Sequence, residues 1–137
     1  MDNVQPPIPQ SSTGRVRQAW ICGGIALILA VIYFSLTPKP VTIPGAQGDK
    51  FSHTFAYLVL MLWFVQVYAS LASRIACAVL LILMGVSLEY VQLWIGIRTF
   101  EWLDMVSGAA GVLLGCILAP PRIPNLYLQI EAWLTSR

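Results

Sequence analysis

Long apolar runs alternate with short polar segments along this chain and divide it into candidate helices. Four runs can be distinguished, over residues 19–36, 51–69, 75–95 and 102–119. Each run is about 20 residues long, which is the length that an α-helix needs to cross the hydrocarbon core of a bilayer. The pattern therefore predicts an all-α fold, an integral membrane four-helix bundle that occupies residues 19–119.

The segments outside the four runs carry different signals. Residues 1–18 are polar and rich in Pro and Ser, which predicts a disordered cytoplasmic tail. The segment 120–137 begins with two prolines, which end the fourth helix. Farther on, Leu126, Ile130 and Trp133 share one helical face, so we predict a short C-terminal amphipathic helix that lies in the membrane interface. Ser52 and Thr54 are predicted to cap the second helix.

Composition supports the membrane assignment. Hydrophobic residues make up 58% of the 137 residues and charged residues only 10%, whereas soluble domains carry roughly a quarter charged residues. The formal charge of +2 is spread along the chain without a basic run, which argues against nucleic acid as a partner. Cys22, Cys77 and Cys116 lie inside apolar runs and match no metal motif, so we interpret them as small buried hydrophobic residues.

The basic residues predict the orientation of the bundle. Four arginines fall on the side of the termini (Arg15, Arg17, Arg74, Arg122), and three basic residues fall on the other side (Lys39, Lys50, Arg98). Because basic residues favour the cytoplasm, both termini are predicted to be cytoplasmic. Trp94 and Trp102 then fit an aromatic belt near the outer face.

With this topology, the polar side chains within the helices collect in the outer half of the bundle. Helix two contributes Asp49, Lys50, His53 and Tyr57; helix three contributes Glu89 and Gln92; Arg98 lies in the following loop, and Asp104 begins helix four. A carboxylate such as Glu89 inside a membrane helix costs at least a few kcal/mol unless it is paired, so it is a functional hypothesis in itself. On helix four, Asp104, Gly108, Gly111 and Gly115 form one stripe that predicts close helix packing.

The motifs Asp49-Lys50-x-x-His53-x-x-x-Tyr57 and Glu89-x-x-Gln92, followed by Arg98 and by Asp104 ahead of Gly111 and Gly115, resemble those of the VanZ-like membrane protein family. The resemblance implies a multi-pass protein of the bacterial inner (cytoplasmic) membrane with a role in the cell envelope. It also implies a relation to glycopeptide (teicoplanin) resistance, the property associated with the founding member. One position departs from the family pattern: an Asn is expected four residues after Asp104, where this chain has Gly108.

The candidate site residues fall into two groups. Glu89, His53 and Asp104 are the candidate catalytic residues, and Lys50, Arg98, Tyr57 and Gln92 are the candidate ligand-binding residues. Such a site suits an anionic envelope lipid, a lipid-linked envelope precursor or a glycopeptide-related ligand. The alternative is that these charges only pair with one another, for example Glu89 with Arg98 or Lys50.

Several functional classes remain open at this stage. The sequence does not decide between an enzyme, a non-catalytic membrane scaffold and an oligomeric proton-coupled transporter. One His with two carboxylates can hold a metal ion, but the sequence has no HExxH-like spacing, so no metal and no cofactor are predicted. The expected partners are membrane lipids and, for a scaffold or transporter, further copies of the chain.

Overall fold

The computed structural model describes residues 10–38 and 48–136 and, within them, contains five α-helices and no strands. The helices are α1 (Gln10–Ser35), α2 (Gly48–Phe64), α3 (Leu71–Trp94), α4 (Trp102–Leu118) and α5 (Leu126–Thr135). The all-α prediction is confirmed, and the C-terminal helix is present with Asn125 as its N-cap, whose side chain accepts a hydrogen bond from the Leu128 amide.

Three helices begin earlier than predicted. Helix α3 starts at Leu71, four residues before the predicted run, because the Ser70 side chain caps it there. Helix α1 starts at Gln10, so the predicted tail is helical over residues 10–18, while residues 1–9 lie outside the described chain. Pro9 is the last proline before this helix, and the residues after it can all continue a helix. Helix α2 starts at Gly48, so Ser52 and Thr54 lie inside it and the prediction that they cap it is wrong. Their hydroxyls instead donate to the carbonyl oxygens of Gly48 and Ser107 respectively.

Two of the helices are long and apolar enough to cross a membrane, over Gly14–Ser35 and Leu71–Trp94. Helices α2 and α4 have 17 residues each, which corresponds to about 25 Å at a rise of 1.5 Å per residue. This length lies at the lower limit for a span. The structure thus supports association with a membrane, and a bundle of four spans stays a prediction.

Consecutive helices from α1 to α4 run in alternating directions. Helices α2 and α4 are parallel and form the closest pair, since Thr54 lies beside Gly111 and Met61 lies beside Gly115. Helix α3 runs against both, with Gly85 beside the ring of Tyr57. As a result, the start of α2, the end of α3 and the start of α4 meet at one end of the bundle.

Glycines on α4 allow it to approach α2 so closely. The predicted stripe is confirmed, because Asp104, Gly108, Gly111 and Gly115 are all buried. A Cβ atom at Gly111 would overlap the backbone carbonyl oxygen of Thr54, and one at Gly115 would lie 2.6 Å from the Cβ of Met61. Backbone atoms cannot move aside as a flexible side chain can, so Gly111 is the most restrictive of these positions.

The other end of the bundle is joined by aromatic and amide contacts. The rings of Trp20 and Trp63 stack with centroids 4.4 Å apart, and each indole N–H donates to the other residue's carbonyl oxygen. Tyr127 of α5 packs edge-on against Trp20. The buried Gln66 accepts a hydrogen bond from the Leu126 amide, so the turn after α2 and the start of α5 are held together. This turn ends α2 five residues before the predicted limit of its apolar run.

Large apolar side chains cover the outer surface of the helices. On α3, for example, Leu80 is 66% exposed and Trp94 is 86% exposed. Trp102 is likewise exposed. Cys22 is also exposed on α1, so the interpretation of all three cysteines as buried is wrong for this one, because its position faces away from the other helices. A surface of this kind is covered by lipid or by another protein more favourably than by water.

The contact between α2 and α4 gives a direct prediction about stability. Gly111→Ala should lower the free energy of unfolding by about 3 kcal/mol, because the added methyl group must displace backbone atoms of α2. Gly14→Ala is the matched control: Gly14 is exposed on α1 and has no other atom within 4 Å of such a methyl group. Thermal unfolding of both variants in detergent, followed by circular dichroism, measures the difference. Equal melting temperatures would contradict the packing described here.

Candidate functional site

Seven ionisable side chains gather at the end of the bundle where α2 and α4 begin and α3 ends. This polar cluster consists of Asp49, Lys50, His53, Glu89, Arg98, Glu101 and Asp104. Five of the seven candidate site residues predicted from the sequence are among them: Lys50, His53, Glu89, Arg98 and Asp104. Asp49 and Glu101 complete the cluster as ion-pair partners, although they were not predicted as site residues.

Asp104 lies at the centre of the polar cluster. Its side chain is only 1% exposed. Its oxygens lie 3.3 Å from an Arg98 guanidinium nitrogen, 3.6 Å from Lys50 Nζ and 3.7 Å from His53 Nε2. One buried carboxylate therefore attracts basic groups from α2 and from the loop before α4. Burial without these partners would be costly for a charged group.

The two shortest ion pairs lie farther out. Arg98 contacts Asp49 at 2.9 Å, and Lys50 contacts Glu101 at 2.9 Å. The hydrogen bond from Lys50 and its positive charge lower the pKa of the Glu101 carboxyl. Because the Glu101 side chain is 43% exposed, this pair is screened by solvent and contributes little to stability.

Glu89 does not form the ion pair with Arg98 or Lys50 that the sequence left open as an alternative. The ion pairs of Lys50 and Arg98 within 4.0 Å go to other carboxylates, so the alternative that pairs Glu89 directly with either of them is wrong. Glu89 is 4% exposed, and its Oε2 accepts a long hydrogen bond of 3.5 Å from the Glu101 amide. Its Oε1 has no hydrogen-bond partner within the described part of the chain.

The polar cluster contains more negative than positive groups. Its four carboxylates belong to Asp49, Glu89, Glu101 and Asp104, and its two permanently charged cations are Lys50 and Arg98. When His53 is neutral and every carboxyl is ionised, the cluster carries an excess of two negative charges. A cation or bound protons would balance this excess.

Tyr57 and Gln92 contribute to packing beside the cluster. The Tyr57 ring is 2% exposed and lies between Gly85 of α3 and Gly108 of α4. A Cβ atom at Gly108 would come within 3.2 Å of this ring, so a larger residue at this position would require the ring to shift by a few tenths of an ångström. Gln92 donates from Nε2 to the Ser35 carbonyl oxygen at 2.6 Å and so connects α3 with α1.

A pocket of about 500 Å³ opens beside the polar cluster. Its polar lining comes from Ser35, Asp49, Ser52, His53 and Arg98, and its apolar lining from Val31, Phe34, Phe55, Ala56 and Tyr57. The contribution of α1 was not predicted, because Val31 and Phe34 look like any other residues of an apolar span. Ser35, a polar residue at the end of that apolar run, was the one sequence signal that α1 contributes to the pocket.

This chain is similar to a protein of fission yeast. No protein-family model matches it, and no solved structure matches it. It is similar to an uncharacterized protein from Schizosaccharomyces pombe, with 32% identity over 99 residues, which are 69% of this chain and 56% of the relative. The chain thus spans little more than half of that relative's length.

The central position of Asp104 gives a prediction about stability. Asp104→Ala should lower the free energy of unfolding by about 3 kcal/mol, because it removes the buried acceptor that Arg98 hydrogen-bonds and that Lys50 and His53 approach within 4 Å. Glu101→Gln should have a much smaller effect, since that carboxylate is half exposed. Denaturant unfolding of both variants in detergent provides the comparison. If the two substitutions had equal effects, Asp104 would not be the centre of the cluster.

Proposed function

We propose that this chain is a VanZ-like, four-helix membrane protein that binds the polar head group of an amphiphile at the polar cluster. In this proposal both termini are cytoplasmic and the cluster lies in the outer leaflet. The observation that carries the proposal is the pocket, whose lining is charged on one part and apolar on the other.

The division of the pocket lining into a charged part and an apolar part favours an amphiphile over a small polar solute. Asp49, His53 and Arg98 provide the charged part of the lining, while Val31, Phe34 and Phe55 provide an apolar wall. Phe34 and Phe55 are also exposed on the outer surface of the helices. A lipid with its head group at the charged part would therefore place its tail along an apolar surface, and no polar group would be buried without a partner.

Arg98 is the residue best placed to receive an anionic head group. A guanidinium can form two parallel hydrogen bonds with a phosphate or carboxylate. Its present partner Asp49 is 37% exposed, so an incoming anion can replace this carboxylate without stranding a buried charge, once bound protons or a cation balance the negative excess of the polar cluster. Lys50 does not line the pocket and serves mainly to hold Glu101 and Asp104.

The membrane setting of the proposal rests on several observations. The two long apolar helices and the exposed apolar side chains on α3 and α4 support insertion into a bilayer. The VanZ-like assignment rests on the spaced polar residues, most of which share the polar cluster. The bacterial cell-envelope setting and the relation to teicoplanin rest on that resemblance alone, and the fission yeast relative adds no support for them, so the proposed ligand is a lipid head group in general.

A non-catalytic scaffold is the second candidate, and the ion pairs favour it. Lys50, Arg98 and Asp104 connect α2, α4 and the loop between α3 and α4, as a purely structural cluster would. The two candidates differ in what a variant with a filled pocket should do. A lipid-binding protein loses its ligand in that variant, whereas a scaffold has none to lose.

Lipid binding can be tested by native mass spectrometry of the protein released gently from its own membrane. We expect a bound lipid of defined mass on the wild-type protein and its loss in Ala56→Trp, because Ala56 lines the pocket. Ala110→Trp is the matched control, since Ala110 is exposed on α4 and is not part of the pocket lining. Wild-type protein without bound lipid would contradict the proposal, as would a lipid that both variants retain.

A further inference from the structure

We propose that His53, Glu89 and Asp104 form a binding site for a divalent transition-metal cation such as Zn²⁺ or Mn²⁺. Each residue contributes one potential donor atom, and these atoms all lie within 4.8 Å of one another. The three residues come from α2, α3 and α4, so the site would join three helices of the bundle.

The distances between the donor atoms are close to those of a coordinated ion. Zinc binds nitrogen and oxygen donors at about 2.0–2.2 Å, which places neighbouring donors about 3–3.5 Å from each other. His53 Nε2 already lies 3.7 Å from Asp104 Oδ2. The remaining separations, which are at most 4.8 Å, require a contraction of up to about 1.5 Å on metal binding.

Burial supplies an independent argument for a ligand. Glu89 is 4% exposed and Asp104 is 2% exposed. Within the described residues, Glu89 Oε1 and Asp104 Oδ1 are buried and accept no hydrogen bond. Buried carboxylate oxygens are normally paired or bound to a metal, because an unsatisfied charge is costly in a low-dielectric environment. Glu89 Oε1 is therefore free to coordinate a cation, and Asp104 Oδ1 would do so in place of its 3.6 Å contact with Lys50 Nζ.

The neighbouring cations leave room for a metal ion. Lys50 and Arg98 make their shorter contacts, 2.9 Å each, with Glu101 and Asp49, and their contacts with Asp104 are longer. Their charges are thus largely balanced by these outer carboxylates. The two negative charges left in the cluster equal the charge of one divalent cation.

The donor types indicate which ions suit the site. One imidazole nitrogen with two carboxylate oxygens suits Zn²⁺, Mn²⁺ or Fe²⁺ better than Ca²⁺ or Mg²⁺, which prefer oxygen alone. His53 also lines the pocket, so a cation can reach the three ligands from there. The sequence predicted no metal because the three ligands are 36 and 15 residues apart on different helices. Their proximity depends on the packing of α3 and α4 against α2.

Metal binding can be measured on the full-length protein in detergent without any knowledge of its lipid ligand. Metal-free protein is titrated with Co²⁺, whose visible absorption reports nitrogen and oxygen ligation, and then with Zn²⁺ in competition. We expect one ion per chain in the wild type. In Glu89→Gln and in His53→Gln the dissociation constant should rise at least about 100-fold. The control, Glu131→Gln on α5, leaves the three ligands in place and should bind like the wild type.

Each result of this titration either supports or overturns the proposed metal site. Absence of stoichiometric binding to monodisperse wild-type protein would overturn the proposal, and so would equal affinities in the wild type, Glu89→Gln and His53→Gln. If Glu89→Gln failed to fold, His53→Gln would still decide, because His53 is partly exposed and its loss leaves no buried charge. Loss of lipid binding with intact metal binding would refute the proposed function and leave the metal site standing.

Discussion

The buried carboxylate of Asp104 constrains the rest of this structure more than any other group. Three basic side chains lie within 4 Å of it, two from the first turns of α2 and one from the loop before α4. These contacts place the starts of α2 and α4 at the same end of the bundle. The two helices are therefore parallel, and α3 must carry the chain back across the bundle between them.

Glycines and aromatic residues pack the helices together along the rest of their length, beyond the contacts of Asp104. Gly111 and Gly115 allow the two parallel helices to touch along their length, and the Tyr57 ring fills the space between α3 and α4 beside Gly108. At the opposite end, the stacked pair of Trp20 and Trp63 fixes α1 against α2. The charged end thus depends on a close-packed middle and on an aromatic end, and the pocket beside the cluster opens between α1 and α2.

Much of the fold could be predicted because it follows from local pattern. Apolar runs of helical length gave four of the five helices, and the stripe of Asp104, Gly108, Gly111 and Gly115 correctly indicated the buried face of α4. The start of α1 was missed because polar residues that continue a helix look the same as a polar tail. The end of α2 was missed because Gln66, which holds the turn there, is bound by α5, which follows far later in the sequence.

The sequence predicted which residues form the candidate site better than it predicted which of them pair with each other. The spacing of His53, Glu89 and Asp104 correctly placed them at one end, because helical geometry and an alternating topology are enough for that. Which carboxylate meets which cation depends on side-chain positions across helices, so the sequence left the pairing of Glu89 open, and the alternative of a pair with Lys50 or Arg98 is wrong. Gln92 was expected to bind a ligand, and this stays a prediction: its Nε2 connects α3 to the end of α1, while its buried Oε1 has no hydrogen-bond partner within the described residues. No sequence pattern predicts a hydrogen bond from a side-chain amide to a carbonyl oxygen of a distant helix.

The proposed function requires that α3 crosses a membrane between a cytoplasmic turn and the polar cluster on the outer side. Cysteine accessibility in intact cells tests this most directly, in a background without Cys22, Cys77 and Cys116. Ala69→Cys and Thr99→Cys are suitable probes, since both positions are exposed and lie in the turns on either side of α3. A membrane-impermeant maleimide should label Thr99→Cys in intact cells and Ala69→Cys only after permeabilisation. Equal labelling of both cysteines before permeabilisation would contradict the account.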